Sequence, residues 1–470
     1  MDVRTAFELD YDRLLFSTPV RRLADKTQVF PLERNDSVRT RLTHSHEVAN
    51  LAKSIGTRLI RTYPMFFGTS DEVHTDEIRN AVPIILATIG LAHDLGNPPF
   101  GHQGEVAIRH WFIGHQNLFT DLQPGSSAEN KDFSSVPVAQ QTDFTKFEGN
   151  AQALRLVTRL QNTSGPSGLN LTAATLAALM KYPVASHQTS DSYAATKKHG
   201  YFASEADVVE WIREETGLSA GQRHPLTWIM EASDDIAYSV LDVEDAIKKG
   251  LISAEDVLAY LRSKFEPDDL DKLIEQLTAD FDRADKDEYS LSRVREIKVG
   301  YLRTRLIDRL VTGATNAYHE DRDAIFNHGR KQPLLGSDSE ASKLCESLKK
   351  FARVHAYQST GVLRLELTGS IVIRTLMDAM WEAISEREDF SKPGSRRLSP
   401  KAAYVYSLIS DSYRWHFERS DKKNLATRYK ELQLLSDMIS GMTDGYALDL
   451  YEKIQRHDER ILRHASSSSS

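Results

Sequence analysis

The sequence predicts an all-α fold. Apolar residues recur three and four apart over many long segments, period-2 runs are few and short, and Gly or Pro stands where the periodic segments stop. No repeat of fixed period runs through the chain. Residues 1–37 read as an N-terminal arm. Ser37 is placed to cap a helix from Val38, in which Val48, Leu51, Ala52 and Ile55 share a face. Asn80 to Leu95 reads as a buried helix stopped by Gly96 and the Pro98-Pro99 pair. Leu171 to Lys181 is a second apolar helix, ended by Pro183, and Trp228 to Lys249 a third, with Gly250 at its C-cap. The helical pattern continues over Asp268–Phe281, Ser290–Ala317, Ser370–Ile384, Pro400–Phe417 and Ala426–Ser440. Residues 38–250 therefore read as a helical core and 251–465 as a C-terminal helical region packed on it. The serine run 466–470 reads as disordered. Polar stretches at Asp121–Gln141, Gly329–Ser342 and Glu386–Pro400 read as linkers, the first of them a surface loop, a mobile flap or a subunit contact.

Composition narrows the functional classes. A chain of 470 residues with a net charge of −8 cannot hold an anionic substrate by its global field, so a local group of Lys and Arg must do it. One cysteine, Cys345, permits no internal disulfide and fits a reducing cytoplasm. The N-terminal MDVRTAFELDYDRLLFSTPVRR has no apolar h-region, and the apolar stretch from Val82 to Ala92 is too short to span a bilayer, so a cytoplasmic protein is expected.

The chemistry concentrates in LAHDLGNPPFGHQGE. His93 and Asp94 end an apolar segment, where a polar pair without partners would cost a few kcal/mol, roughly. An imidazole and a carboxylate side by side can bind one divalent cation. Distant helices offer more ligands: His44 or His46 in THSHEV, which must face different ways, and Asp234 or Asp235 in MEASDDIAYSV. A His/His/Asp/Asp set without thiolate suits Mn, Mg, Fe, Co, Ni or Zn, and open positions on such an ion suit metal-assisted hydrolysis. His102 and Glu105 are three apart at the start of the next helix. A carboxylate behind an imidazole fixes its tautomer and raises its basicity, so the pair can move a proton; an ordinary capping pair has the same spacing. Lys181 and Tyr182 close the helix LTAATLAALMKYP, Lys197 and Lys198 lie in ATKKHGYF, and Asn150 lies in FEGNAQ; lysine and amide groups of this kind can hold phosphate. Tyr238, four residues after Asp234, shares its helix face and can pack a sugar or a base.

Seven runs in order resemble the HD-superfamily dNTP triphosphohydrolases of the bacterial dGTPase type: TQVFPLERNDSVRTRLTHSHEV, LAHDLGNPPFGHQGE, FEGNAQ, LAALMKYP, KKHGYF, EASDDIAYSVLDVEDA and ISGMTDGYALDLY. The resemblance implies an HD-domain helical core with additional C-terminal helices. It implies metal ligation by His44, His93, Asp94 and Asp234, and a catalytic pair of His102 and Glu105 beside the α-phosphate. Lys181, Tyr182 and Lys198 would face the phosphates with Asn150 nearby; Gln28 and Asp242 would touch the sugar, and Tyr238 would pack against the deoxyribose. Asn97 departs from many relatives, which carry His there, and GNPPF resembles the dGTP-selective members.

The implied reaction is one hydrolysis at the α-phosphorus, converting dGTP, and other dNTPs with it, to deoxynucleoside and tripolyphosphate and so controlling dNTP pools. The expected cofactor is Mn²⁺ or Mg²⁺, with Co²⁺, Ni²⁺ or Zn²⁺ as alternatives. The resemblance also implies a homo-oligomer, often a hexamer, and in some members a response to a second nucleotide or to single-stranded DNA. No Walker A loop is present, which disfavours β/γ cleavage. Two other readings keep the fold: an HD phosphohydrolase acting on a nucleoside monophosphate or cyclic nucleotide, and a non-catalytic nucleotide or DNA sensor.

Overall fold

A computed structural model describes residues 3–32, 35–64, 66–67, 72–120, 135–161, 168–265, 270–286, 288–336, 338–419 and 425–467. Among these residues there is no β-strand, only the isolated bridges Thr27–Thr40, Ala185–Tyr201 and Arg387–Arg397. The helices that position the site are α1 (Ala6–Leu15), α2 (Arg41–Thr62), α3 (Glu72–Ala92), α4 (Gly101–Gly114), α5 (Gly149–Arg155), α6 (Ala173–Leu179) and α7 (Pro225–Lys248). From the C-terminal part come α8 (Leu291–Glu320), α9 (Glu340–Ala352), α10 (Thr360–Ser385), α11 (Thr427–Ser440) and α12 (Asp444–Ser467).

Helix α7 is the axis of the molecule. It is buried along most of its length because neighbours cover it all round: α2, α3, α8 and α9. Helices α2 and α3 lie close together, and the reason is local. A Cβ on Gly90 would stand 2.6 Å from the Cα of Ala49, so only glycine lets the end of α3 approach α2 this nearly. That approach sets the separation of His44 from His93. Helix α10 packs on α4, and one apolar cluster reaches from Leu14 to Ile454, through both halves of the chain.

Several helix limits differ from the sequence reading, each for a visible reason. The first long helix begins at Arg41, not Val38, because Ser37 turns its N–H and hydroxyl to Asn35 Oδ1 at 3.0 and 2.8 Å. Thr40 is the N-cap instead, its N–H donating to Thr43 Oγ1 at 3.1 Å. Helix α3 begins at Glu72 rather than Asn80 and runs through Pro83, forgoing one ladder bond there. Helix α10 begins at Thr360, ten residues before Ser370. The segment Pro400–Phe417 is two helices, Pro400–Ser407 and Asp411–Arg419, because Ser410 O turns to accept from the N–H groups of Tyr413 and Arg414. Within Asp121–Gln141, residues 121–134 lie outside the described residues, and a helix already runs from Val138 to Thr145. Helix α12 is assigned through Ser467; the rest of the serine run lies outside the described residues.

A buried ion network ties α5 to α11. Arg155 donates to Asp437 at 2.8 and 2.7 Å and to Glu205 at 2.9 Å, with all three residues at most 4 % exposed. Arg155→Met leaves two carboxylates buried without their counter-charge, a change that costs about 3–5 kcal/mol. The expected result is a large fall in the urea midpoint. A shift worth under about 1 kcal/mol would show that water replaces the guanidinium.

Candidate active site

His44 enters the core from the first turn of α2 and is 1 % exposed; neither of its ring nitrogens has a hydrogen-bond partner. His93 follows the last residue of α3, where the chain turns through Leu95 and Asn97 back onto the carbonyls of Ala92 and Asp94. Its Nδ1 lies 2.7 Å from the Gly90 carbonyl oxygen and donates to it, which turns the buried, unpartnered Nε2 toward Asp234. Asp234, near the middle of α7, faces both rings: its Oδ1 is 3.4 Å from His44 Nε2 and 3.6 Å from His93 Nε2. One ligand atom from each of the three residues falls within a 4.8 Å group.

Asp94 stands at the edge of this group, its Oδ1 3.5 Å from His93 Nε2. Arg41 donates to its Oδ2 and Asn97 Nδ2 to its Oδ1, both at 2.5 Å, so the carboxylate is held on two sides. The neighbours left open by sequence are elsewhere. His46 is exposed, and Asp235 accepts from Lys349 on α9 at 2.9 Å.

Charge reinforces the geometry. Burial disfavours the His93 imidazolium, but the carboxylates of Asp94 and Asp234 outweigh it and raise its pKa to about 9. Burial also opposes ionised Asp234, yet Lys181 and His93 hold its carboxyl well below the usual range. Buried imidazole nitrogens without partners are rare in folded proteins, and here two of them, His44 Nε2 and His93 Nε2, face one anionic oxygen. Two nitrogens and carboxylate oxygens in one pocket are the donor set of a divalent transition cation, so the residues fit a metal.

Beside this cluster begins α4. Phe100 and Gly101 both adopt left-handed backbone, with φ of 61° and 58°, which turns the chain sharply out of Pro98-Pro99. His102 Nδ1 then lies 3.4 Å from Glu105 Oε2, and the two differ in setting: the His102 side chain is 70 % exposed and that of Glu105 6 %. Glu105 is fixed from behind. It accepts from the Gly149 N–H at 2.8 Å and from Arg109 at 3.2 Å. Burial raises its pKa, but His102, Lys198 and Arg109 bring the net shift below the ordinary value. Gly149 joins the two halves of the site: a Cβ there would be 2.3 Å from Asn97 Oδ1 and 2.9 Å from Glu105 Oε1.

The cationic residues lie around the same centre. Lys181 Nζ is 3.3 Å from Asp234 Oδ2 and 3.9 Å from Glu231. Tyr182 beside it is buried, and burial raises its phenol pKa. Lys198 and Asn150 meet on Glu148, at 3.0 and 2.7 Å, together with Arg109 at 3.2 Å. Tyr238, 37 % exposed, faces the ring of Tyr357 at 6.0 Å. Asp242 is fully buried, where Tyr357 donates to its Oδ2 at 2.9 Å and its Oδ1 has no partner. Gln28 also carries a buried oxygen without a partner.

Sequence reasoning missed Arg41, Arg109, Glu148 and Tyr357. Arg41 and Arg109 had a signal, helical spacing from His44 and Glu105. Glu148 had one too, since it stands in the FEGNAQ run two residues from its partner Asn150; Tyr357 had none, since its partners are remote in the chain.

The chain is similar to known proteins along nearly its whole length. The family model described as HD domain matches residues 41–122, a span that includes His44, His93, Asp94, His102 and Glu105. A deoxyguanosinetriphosphate triphosphohydrolase-like protein of Listeria monocytogenes is 36 % identical over 457 residues, covering 96 % of this chain and 94 % of the relative. Deoxyguanosinetriphosphate triphosphohydrolases of Klebsiella pneumoniae and of an Enterobacter species are each 33 % identical, with the same coverage of both chains.

Proposed function

The chain belongs to the HD-domain deoxyguanosinetriphosphate triphosphohydrolase family, and on that premise we propose that it hydrolyses dGTP at the α-phosphorus, in a metal-dependent reaction, to deoxyguanosine and intact tripolyphosphate. The observation that carries the reading is the set of buried, unpartnered nitrogens of His44 and His93 around Asp234, with a His–Glu pair at the start of the next helix.

His44, His93, Asp94 and Asp234 hold the ion, Mn²⁺ or Mg²⁺, with Co²⁺, Ni²⁺ or Zn²⁺ as alternatives. When bound, it supplies charge stabilisation at the α-phosphoryl oxygen and a more acidic water. Arg41 and Asn97 orient Asp94, and the Gly90 carbonyl orients His93. Lys181, Tyr182 and Lys198 receive the triphosphate, Lys198 and Asn150 exchanging Glu148 for phosphate oxygens. Water attacks the α-phosphorus and releases a proton to solvent, the bond from phosphorus to the 5′-oxygen breaks, and His102 delivers a proton to that oxygen and regains one from solvent, while Glu105 steadies the imidazole. Gln28, Tyr238 and Asp242 face the sugar, Asp242 through a carboxylate that Tyr357 holds in place. A homohexamer and a response to single-stranded DNA belong to the same reading, as does a role in limiting dNTP pools.

The test is product identity. With Mn²⁺ or Mg²⁺, each dNTP and GTP is incubated and the products separated by anion exchange. Tripolyphosphate with deoxyguanosine is expected from dGTP, with slower turnover of the other dNTPs. Pyrophosphate or orthophosphate as first product would end the α-phosphorus reading. Equal rates for all four dNTPs would remove only the preference for guanine.

A further inference from the structure

We propose that Asp444 is a positioning residue for the His102–Glu105 pair: it fixes the left-handed N-cap from which the helix carrying both side chains starts. The inference rests on the proton-transfer role of His102 given above.

Three segments remote in sequence meet at this carboxylate. Asp444, at the start of α12, is 2 % exposed. Its Oδ1 accepts the N–H of Phe100 at 2.9 Å, across a separation of 344 residues. Its Oδ2 accepts the N–H of Thr27 at 3.1 Å and also the Thr27 hydroxyl. Phe100 is the N-cap of α4, has φ of 61° and makes no capping bond with its own side chain. A bulky residue in left-handed backbone costs about 1–2 kcal/mol, so the surroundings must hold it there. They do so from two directions. The Phe100 ring lies on α10, where a Cβ at Gly369 would be 2.7 Å from its Cγ, and its N–H is held by Asp444. Lys26, 3 % exposed, anchors the other end of the loop by donating to the carbonyls of Asn97 at 2.6 Å and Ser440 at 2.8 Å.

His102 is two residues past this cap, and Glu105 is on the following turn. A shift of the cap therefore moves the imidazole relative to the metal ligands. A misplacement of about 1 Å at a reacting group can cost roughly 100-fold in rate. Asparagine at 444 would leave one accepting oxygen for three donors and would aim an NH₂ at an N–H.

The experiment is a double-mutant cycle on dGTP hydrolysis with Asp444→Asn and His102→Ala. Asp444→Asn should lower kcat roughly 10- to 100-fold, with KM and Mn²⁺ affinity within about twofold. In the His102→Ala background it should cost less than about twofold more. Equal factors in both backgrounds would overturn the inference, as would an unchanged kcat or a loss confined to metal affinity. If His102→Ala alone keeps full activity, the proton-transfer reading falls and the inference with it; if His102→Ala is impaired but the two effects multiply, only the inference falls. Should Asp444→Asn not accumulate as folded protein, Asp444→Glu keeps the charge and displaces the acceptors by one methylene, and the same cycle applies.

Discussion

Asp234→Asn should leave a folded protein that no longer takes up metal and no longer turns over dGTP. Asp234 is the point where the cluster converges, with Oδ1 shared between the two imidazoles and Oδ2 on Lys181. An amide offers one weakly basic oxygen in place of an anion held well below its usual pKa. The lost charge stabilisation is several kcal/mol, so kcat should fall by roughly 10³-fold or more. Two measurements check it: metal content by mass spectrometry, and the rise in thermal midpoint on adding Mn²⁺, which should vanish with the site. A variant that binds one metal per chain and works within tenfold of the parent would remove Asp234 from the ligand set.

His102→Ala should separate chemistry from metal binding. Its side chain is largely exposed and no helix depends on it for packing, so the metal-induced rise in thermal midpoint should persist. General acid–base transfer by a positioned side chain contributes about 10²- to 10⁴-fold, and kcat should fall by that amount. Activity within threefold of the parent would mean that another group moves the proton, and Glu148, whose pKa is raised by burial and by Glu105, would be the next to test.

Much of this was legible in the sequence because it rests on local pattern. The long apolar periodicity around Asp234 marks α7 to within a few residues, and Gly250 does follow its end in left-handed backbone. The HD turn is marked by Gly96 and two prolines. Limits failed where a side chain found a partner other than the helix, as Ser37 did in Asn35. The site divides the same way. Residue types announce His93 and one member each of the His44/His46 and Asp234/Asp235 pairs, and the family resemblance points to His44 and Asp234. The long-range contacts around them do not show: Glu148 accepts from Arg109, 39 residues away, and Tyr357 donates to Asp242, 115 residues away. Asp242, placed at the sugar by the resemblance, is buried under Tyr357, a contact that depends on a π-helical turn, Arg353–Tyr357, that no periodicity signals.

The meeting of Lys26, Phe100 and Asp444 also bears on how the enzyme comes into being. A ribosome makes the HD turn long before it makes Asp444, 344 residues later than Phe100. Once Asp234 is made the nascent chain carries every proposed metal ligand, but it still lacks the carboxylate that accepts the Phe100 N–H, so this contact forms only when nearly the whole chain is present.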